Sequence, residues 1–384
     1  MPSFTTARIA FLFLVLMSIM RNYGIPKKVF YYLFVLFLVL AVAFIQFIFK
    51  SDSTQLSRLF WFMIYGVISP FLFVNFLKSR KEFLLLVSVA VVIQAVLSIL
   101  SFMNPAIKAL FYNLVIFTSN FEEEQVLRAV AFASIGGAGL SVIQSLGVIS
   151  SIALLKLNDF SIYNKVLLWV GITITLISIF LIGRTGLFIS FLFIAGYLIS
   201  EIKSFKSTLI FVLIIGAIYQ VNFVSILENM TANVDGFNID LFTSWIENAF
   251  KLKGNDTSEV LASMPIPPIS FETIIGTGRV VDESGLGNAS MHDSGYIQTY
   301  YSLGLLCAFY FYCIYIIFLL LQLKSKSNVY NYFLILVMLI IEVKEPFIFQ
   351  YVFPFFVLSI ILVTARLSDS NEVVINKELN INLN

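Results

Sequence analysis

The chain contains one histidine, His292, which stands at the end of the one long polar segment of the sequence, residues 228–293. A neutral imidazole can take up a proton near neutral pH, so this side chain is the first candidate for acid–base chemistry. Asp293 follows it and can either orient the ring or serve only as a surface charge. A single histidine is more often a hydrogen-bonded structural residue than a catalyst, and the sequence leaves both interpretations open.

Three arginines are candidates for binding an anionic substrate. Arg128 precedes a run of small residues, Arg184 lies in the sequence Ile-Gly-Arg-Thr-Gly, and Arg279 lies in the polar segment. A guanidinium group stays charged and binds two phosphate oxygens at once, which suits a diphosphate. The alternative is that each arginine only reaches lipid headgroups from a helix end.

Three further residues are weaker candidates for positioning a substrate, as is Asp293. Tyr296 follows the histidine, but an aromatic ring at a membrane interface is expected without any substrate. Lys344 and Glu345 lie at the end of another apolar run, where a structural ion pair is the simpler explanation.

The composition places the chain in the membrane. Hydrophobic residues make up 59% and charged residues 12%, against about 45–50% and about 25% in soluble domains. A net charge of +2 is too small to indicate a nucleic-acid partner. One histidine and two cysteines in a single apolar run do not form a metal-binding pattern, so we expect no metal and no cofactor.

Apolar runs near the ~20 residues that cross a bilayer predict an all-α polytopic membrane protein with about 11 transmembrane helices. We expect one integral membrane domain over residues 1–384. The predicted spans are 4–20, 29–49, 59–77, 83–103, 129–155, 166–182, 186–200, 207–227, 299–322, 329–342 and 347–365.

The distribution of cations predicts the orientation. More than half of the 24 lysines and arginines fall in the tail 366–384 and in the turns 21–28, 78–82, 156–165, 201–206 and 324–326. We therefore assign these turns and the tail to the cytoplasm, and the large loop 228–293 to the opposite side. Apolar residues at helical spacing within this loop predict an amphipathic helix at 239–252, lying on the membrane surface or covering a cavity.

Three short segments resemble the O-antigen polymerase (Wzy) family, which is related to the O-antigen ligases. The first runs from Arg128 to Gly139, and the second is the Gly-Arg-Thr-Gly turn at 183–186. The third has the pattern Gly-X-Gly, then His-Asp-X-X-Tyr-Ile-Gln, then Gly, over residues 276–304.

The resemblance implies a metal-independent glycosyltransferase in the bacterial inner membrane, with its active site facing the periplasm. Such an enzyme moves a growing glycan from undecaprenyl diphosphate to a sugar hydroxyl of the next lipid-linked repeat unit. His292 would be the general base, and Arg128, Arg184 and Arg279 would bind the substrate diphosphate. The implied partners are the lipid-linked donor and acceptor and membrane lipid, with a chain-length regulator as a further candidate and no nucleic acid.

Two alternatives remain. An O-antigen ligase is the first, although ligases tend to have a second histidine and an asparagine where this chain has Met-His-Asp-Ser-Gly-Tyr. The second is a lipid-linked oligosaccharide flippase or another transporter, which would be expected to show an internal repeat between the two halves of the chain. No convincing repeat is found in the sequence.

The orientation predicts a labelling pattern. A cysteine placed near Asn255 should react with a membrane-impermeant thiol reagent in intact cells, and a cysteine placed near Ser325 should not. The reverse pattern would put the large loop in the cytoplasm and invert the proposed site.

Overall fold

A computed structural model describes residues 6–114, 131–132, 137–157, 160–201, 263–282, 287–323 and 329–381. These residues are mostly helical, and the β pairing within these ranges is one isolated bridge between Val281 and Asn288. The chain divides into two compact units, Met1–Phe83 with Val260–Asn384, and Leu84–Glu259.

The helices alternate with short turns. One helix, α3, contains a π-helical stretch at Phe62–Ile68, and a 3₁₀ helix, Phe347–Gln350, precedes the last α-helix. In chain order the helices are α1 (Thr6–Met20), α2 (Lys27–Lys50), α3 (Thr54–Val74), α4 (Arg80–Met103), α5 (Pro105–Leu114), α6 (Gly137–Leu155), α7 (Ile162–Ile182), α8 (Arg184–Glu201), α9 (Phe271–Ile275), α10 (Gly295–Leu303), α11 (Leu305–Gln322), α12 (Val329–Ile341) and α13 (Val352–Ile381).

The prediction of an all-α membrane protein is confirmed. Among the described residues, α2, α3, α4, α6, α7 and α11 are long and apolar enough to cross a membrane, and four further apolar helices are shorter. The number of about 11 spans stays a prediction, because the span 207–227 lies outside the described residues. The amphipathic helix at 239–252 lies outside them as well.

Helix α2 shows how the unit that contains α1–α3 and α9–α13 is packed. Its buried residues are spaced three or four apart and form one stripe along the helix: Val29, Tyr32, Leu36, Val39, Ala43 and Gln46. The opposite face exposes large apolar side chains, among them Phe30, Phe34 and Phe37. A helix with an apolar exposed face and a packed inner face is what a lipid-facing position requires.

In two predicted spans, a helix begins or ends at a glycine with positive φ. The predicted span 299–322 is two helices, because α10 ends at Gly304, whose φ is 92° and whose N–H donates to Tyr300 O at 3.0 Å. Within the predicted span 129–155, α6 runs from Gly137, which has a φ of 56°, and the described residues Ala131 and Phe132 are not helical. In both cases a glycine adopts a backbone conformation that other residues rarely enter.

The second unit is built around α6. Most of this helix is buried, and its glycines and serines allow close approach of its neighbours. Ser151 of α6 lies 2.6 Å from Ser88 of α4 through their hydroxyl groups, and Gln144 donates to the Ser98 hydroxyl at 3.4 Å. Small and polar residues thus hold two apolar helices together where the hydrophobic effect gives little preference between helix and lipid.

A close backbone approach in this unit joins α6 to the start of α8. The amide of Gly186 donates to the Ser141 hydroxyl at 3.1 Å. A Cβ atom added to Gly186 would collide with the backbone carbonyl of Ser141, which cannot move as a side chain could. Gly186, the last residue of the Gly-Arg-Thr-Gly sequence, is therefore a packing contact between α8 and α6.

Substituting this glycine should destabilise the unit. We expect Gly186→Ala to lower the free energy of unfolding by about 1–3 kcal/mol, the usual cost of overpacking a filled contact, measured as a lower thermal midpoint in detergent. Gly196→Ala is the matched control on the same helix, since a Cβ there meets nothing within 4 Å. Equal midpoints for the two variants would contradict the close packing of α6 and α8.

Candidate active site

Four polar side chains near the junction of α2 and α3 contact the late polar segment, residues 275–303, and we name this line of contacts the polar seam. Each contact joins residues at least 228 positions apart. The pairs are Gln46 with Ile275 O and Leu303 O, Asp52 with the Val280 amide, Gln55 with the Ser302 hydroxyl and Arg58 with the Gln298 side chain, at 2.8–3.3 Å.

Two contacts of the polar seam align α3 with α10 along one face of each helix. Gln55 and Arg58 are three residues apart on α3 and share one face, and Gln298 and Ser302 are four apart on α10. Since Gln55 pairs with Ser302 and Arg58 pairs with Gln298, the two helices run antiparallel along this contact. The guanidinium of Arg58 is therefore held at the N-terminal part of α10.

Asp52 anchors the strand-like residues that lead towards the histidine. One carboxylate oxygen accepts from the Thr54 amide at 2.9 Å, and the other accepts from the Val280 amide at 2.8 Å and the Val281 amide at 3.4 Å. The pKa of Asp52 is lowered: partial burial acts to raise it, but hydrogen bonds from Thr54, Val280 and Val281 to the ionised form outweigh that effect.

The glycines of the Gly-X-Gly pattern are needed for close backbone contact. Gly276 has a φ of 100°, and a Cβ there would collide with the Gln46 amide and the backbone of Leu303 and Gly304. Gly278 has a φ of 68° and lies against the side chain of Gln46. These two residues therefore fit α9 and the following turn onto α2 and α10, and their contacts explain the pattern without a bound phosphate.

His292 is buried, with 7% of its surface exposed, in the turn before α10. Its Nδ1 accepts a hydrogen bond from the Ser294 amide at 3.0 Å. A backbone amide is always a donor, so the neutral ring must carry its proton on Nε2 in this arrangement. As placed, His292 is a hydrogen-bond donor through Nε2, and a role as base requires the ring to give up the Ser294 contact.

Gln298 joins the arginine to the histidine turn. Its Oε1 accepts from the Arg58 guanidinium at 3.3 Å, and its Nε2 donates to the backbone oxygen of Asp293 at 2.9 Å. The two partners fix the orientation of the amide, because a guanidinium can only donate and a carbonyl can only accept. Arg58 is thus one side chain away from Asp293 and His292. The Asp293 carboxylate is partly exposed and accepts from the Asn288 amide at 3.4 Å.

Glu342 contacts the first residue of α10, Gly295, and is fully buried. Its two oxygens accept from the Tyr312 hydroxyl and from the Ile348 amide, each at 2.8 Å. Gly295 is packed so closely against this carboxylate that a Cβ there would collide with it. Burial raises the pKa of Glu342 to about 8, although hydrogen bonds from Ile348 and Tyr312 and the charge of Arg58 act to lower it.

The other predicted site residues are distributed over the molecule. Tyr296 lies close to His292 in α10, but its hydroxyl donates to Leu339 O at 2.8 Å. Arg279 is exposed, and Lys344 and Glu345 are half-buried in the turn after α12. Arg184 begins α8 in the other compact unit, and Arg128 lies outside the described residues. The structure therefore groups His292, Asp293 and Tyr296, while the roles of the three predicted arginines stay predictions.

Arg58 and Glu342 did not figure in the sequence prediction of the site, and neither did Asp52. Arg58 directly precedes the predicted span 59–77, on the same predicted side of the membrane as Arg128 and Arg184. It is therefore a cation that the positive-inside rule leaves unexplained. Glu342 is an acidic residue at the end of an apolar span, a position that indicates function by itself. Both signals were present in the sequence, but their proximity to His292 was not.

The grouped residues offer hydrogen-bond donors for an anion and an acceptor for the proton of a hydroxyl group. Arg58 and His292 can donate to oxygens of a substrate, and Asp293 can accept a proton. In the described part of the chain, no three His, Cys, Asp or Glu side chains are grouped to hold a metal ion.

Comparisons of the chain with protein-family models, with curated proteins and with solved structures found no match.

The polar seam predicts a pH-dependent anchor at Asp52. In Asp52→Asn the new NH₂ group cannot accept from a backbone amide, so we expect a loss of about 1–3 kcal/mol in unfolding free energy and faster proteolysis between residues 276 and 282. Because the folded pKa is lowered, the wild-type stabilisation is present at neutral pH and is lost as the pH falls below about 4. The variant should not show that acid loss.

The control is Ser53→Ala, since the Ser53 side chain makes no capping hydrogen bond. Thermal midpoints in detergent and limited proteolysis at neutral and acidic pH give the measurement. An Asp52→Asn protein as stable and as resistant as the Ser53→Ala control would remove Asp52 from the polar seam.

Proposed function

We propose that the protein is a membrane glycosyltransferase of the O-antigen polymerase kind, which transfers a glycan from undecaprenyl diphosphate to a sugar hydroxyl of the next lipid-linked repeat unit. One observation carries this proposal: Gln298 joins the guanidinium of Arg58 to the His292–Asp293 turn through two hydrogen bonds, at 3.3 Å and 2.9 Å. A fixed cation beside a hydrogen-bond donor and a carboxylate is the set of groups that this reaction requires.

The diphosphate is the leaving group, and Arg58 is the proposed ligand for one of its phosphates. Negative charge develops on the diphosphate as the glycosidic bond breaks, and preorganised hydrogen-bond donors stabilise it. A guanidinium supplies two parallel N–H donors. Gln55 supports this assignment, because its Nε2 atom is buried and has no hydrogen-bond partner among the described residues. A phosphate oxygen held by Arg58, one helical turn away, would be a suitable acceptor for it.

The reaction is a single displacement at the anomeric carbon. The acceptor hydroxyl oxygen forms the new bond to that carbon while the bond to the phosphate oxygen breaks, and the bonding electrons leave with the diphosphate. The hydroxyl proton passes to a base in the site. Inversion of the anomeric configuration follows from one displacement.

The hydrogen bond from Ser294 to Nδ1 of His292 favours a donor role for this ring. In the proposed mechanism Nε2–H binds a substrate oxygen, and the Asp293 carboxylate, partly exposed and next in sequence, takes the proton. The general-base role predicted for His292 from the sequence requires the other tautomer. The two roles make opposite predictions for a glutamine at this position.

The other properties that the resemblance implies are part of the proposal. Diphosphate binding by Arg128, Arg184 and Arg279, an active site on the periplasmic side of the inner membrane, and polymerase rather than ligase activity all rest on the sequence pattern. Lipid-facing apolar helices support access for polyprenyl chains from the bilayer.

Activity is measured as the ladder of glycan lengths on the lipid carrier, in cells that depend on this protein for polymerisation. His292→Ala should abolish the ladder, with a loss of ~10²-fold or more in rate. His292→Gln should keep part of it, since a glutamine amide can donate but cannot take up a proton at useful pH. Asp293→Asn should abolish it, and Arg58→Lys should impair it nearly as much as Arg58→Ala because the bidentate fork is lost.

Each variant is first shown to accumulate in the membrane at the wild-type level. If His292→Gln is as inactive as His292→Ala, His292 is the base and the sequence-based role is correct. Normal ladders from both His292 variants and from Arg58→Ala would exclude this site as the transfer site and, with it, the proposed function.

A further inference from the structure

Glu342 is a carboxylate without solvent contact at the junction of α12 and the 3₁₀ helix. It touches three separate elements, through the Tyr312 hydroxyl of α11, the Ile348 amide and the backbone of Gly295, whose N–H donates to Glu342 O at 2.9 Å. Burying an ionised carboxylate is costly unless a charge and hydrogen bonds compensate it. A hydrophobic residue would fill this position at lower cost if only packing were required.

The hydrogen bonds around Glu342 accommodate both of its protonation states. With the carboxylate ionised, the Tyr312 hydroxyl donates to Oε1 at 2.8 Å. With Oε1 protonated, the acid donates to the Tyr312 oxygen, and the tyrosine proton turns towards Thr299 Oγ1 at 3.0 Å or Gly295 O at 3.3 Å. The Ile348 amide bonds Oε2 in either state. Both protonation states therefore keep their hydrogen bonds, with only a hydroxyl rotation between them.

Arg58 is the cation that faces Glu342. Arg58 meets α10 at Gln298 and Glu342 meets it at Gly295, one helical turn away. The ionisable groups that act on Glu342 are Arg58, Tyr312, Tyr296 and Tyr315. The tyrosines are neutral at physiological pH, so Arg58 is the charged group that interacts with Glu342. Asp52 is a second acid that acts on Arg58. Burial of Glu342 raises its pKa to about 8.

We propose that Glu342 is the proton-dependent counter-ion of Arg58: the neutral acid leaves the guanidinium charge available to a phosphate group of the substrate, and the carboxylate weakens that binding. The inference rests on the proposed function in one respect, that Arg58 binds a phosphate. Glu342 does not touch the substrate in this proposal. It is a positioning residue that acts through the charge of Arg58.

The linkage fixes the direction of the effect. A phosphate bound at Arg58 disfavours a second anion nearby and raises the pKa of Glu342, so binding takes up a proton. Affinity is then constant below the pKa of the unliganded protein and falls above it. With that pKa at about 8, binding should be about tenfold weaker at pH 9 than at pH 7.

Glu342→Gln is the decisive variant because it imitates the neutral acid. Its amide oxygen can accept from the Ile348 amide, and its NH₂ can donate to the Tyr312 oxygen, so the fold of the site is preserved. The probe is farnesyl-diphosphate-linked N-acetylglucosamine, a diester whose phosphates do not titrate between pH 7 and pH 9. Binding to the purified full chain in nanodiscs is measured across that range.

We expect the wild type to lose about tenfold in affinity between pH 7 and pH 9, consistent with a Glu342 pKa of about 8, and Glu342→Gln to bind equally at both. Glu272→Gln is the control for removing a carboxylate elsewhere in the same unit; this exposed residue pairs with Lys50 at 3.3 Å. It should follow the wild-type pH profile. Infrared spectra provide a second readout: a carboxylic-acid band present at pH 7, lost at high pH and absent from Glu342→Gln.

Binding by the Arg58 and Glu342 variants separates the phosphate role of Arg58 from the counter-ion role of Glu342. If Arg58→Ala binds the probe as tightly as the wild type, or if the wild type does not bind it, Arg58 is no phosphate ligand and both fall. If binding depends on Arg58 but Glu342→Gln keeps the wild-type loss at pH 9, the counter-ion role of Glu342 is wrong and the phosphate role survives. A Glu342→Gln protein that does not fold leaves the infrared titration of the wild type to decide: no acid band at pH 7 overturns the proposal, and a band lost at high pH supports it.

Discussion

A hydrogen-bonding group buried within a membrane protein costs free energy unless it finds a partner inside the protein, because lipid offers none. The polar seam follows from this constraint. Gln46, Asp52, Gln55 and Arg58 are polar residues at the ends of two apolar helices, and each is paired with the late segment 275–303. Removing either side would leave donors or acceptors without partners, so the first helical hairpin and the histidine segment form one structural unit.

Close backbone contact is the second requirement of this arrangement. Gln46 donates to backbone carbonyls of the late segment, and these hydrogen bonds form only if the chains approach closely. Gly276 and Gly304, both with positive φ, lie against each other's neighbouring backbone and allow Gln46 to reach Ile275 O and Leu303 O. Gly295 has the same function at the other end of α10, against Glu342.

The charges of the site depend on this packing. Arg58 is kept near the His292 turn by Gln298, and Glu342 is kept at the adjacent turn of α10 by Tyr312 and Ile348. Arg58 and Glu342 both contact the first turns of α10. Their charges influence each other more strongly there than they would in water, because the surrounding dielectric is low. The proposed phosphate site and its proton dependence are therefore two aspects of the same geometry.

Sequence alone determined the class of protein and most of the helices, because composition and the length of apolar runs are set by the bilayer and not by the rest of the fold. The sequence also identified His292 and Asp293, which directly precede a helical segment, as candidate site residues. It did not reveal the break at Gly304, since an apolar run on both sides hides a change of helix axis, nor the partnership of Arg58, Gln298 and Glu342. Those residues are far apart in the chain, and only the tertiary structure brings them together, because contacts between distant residues depend on the path and packing of everything between them.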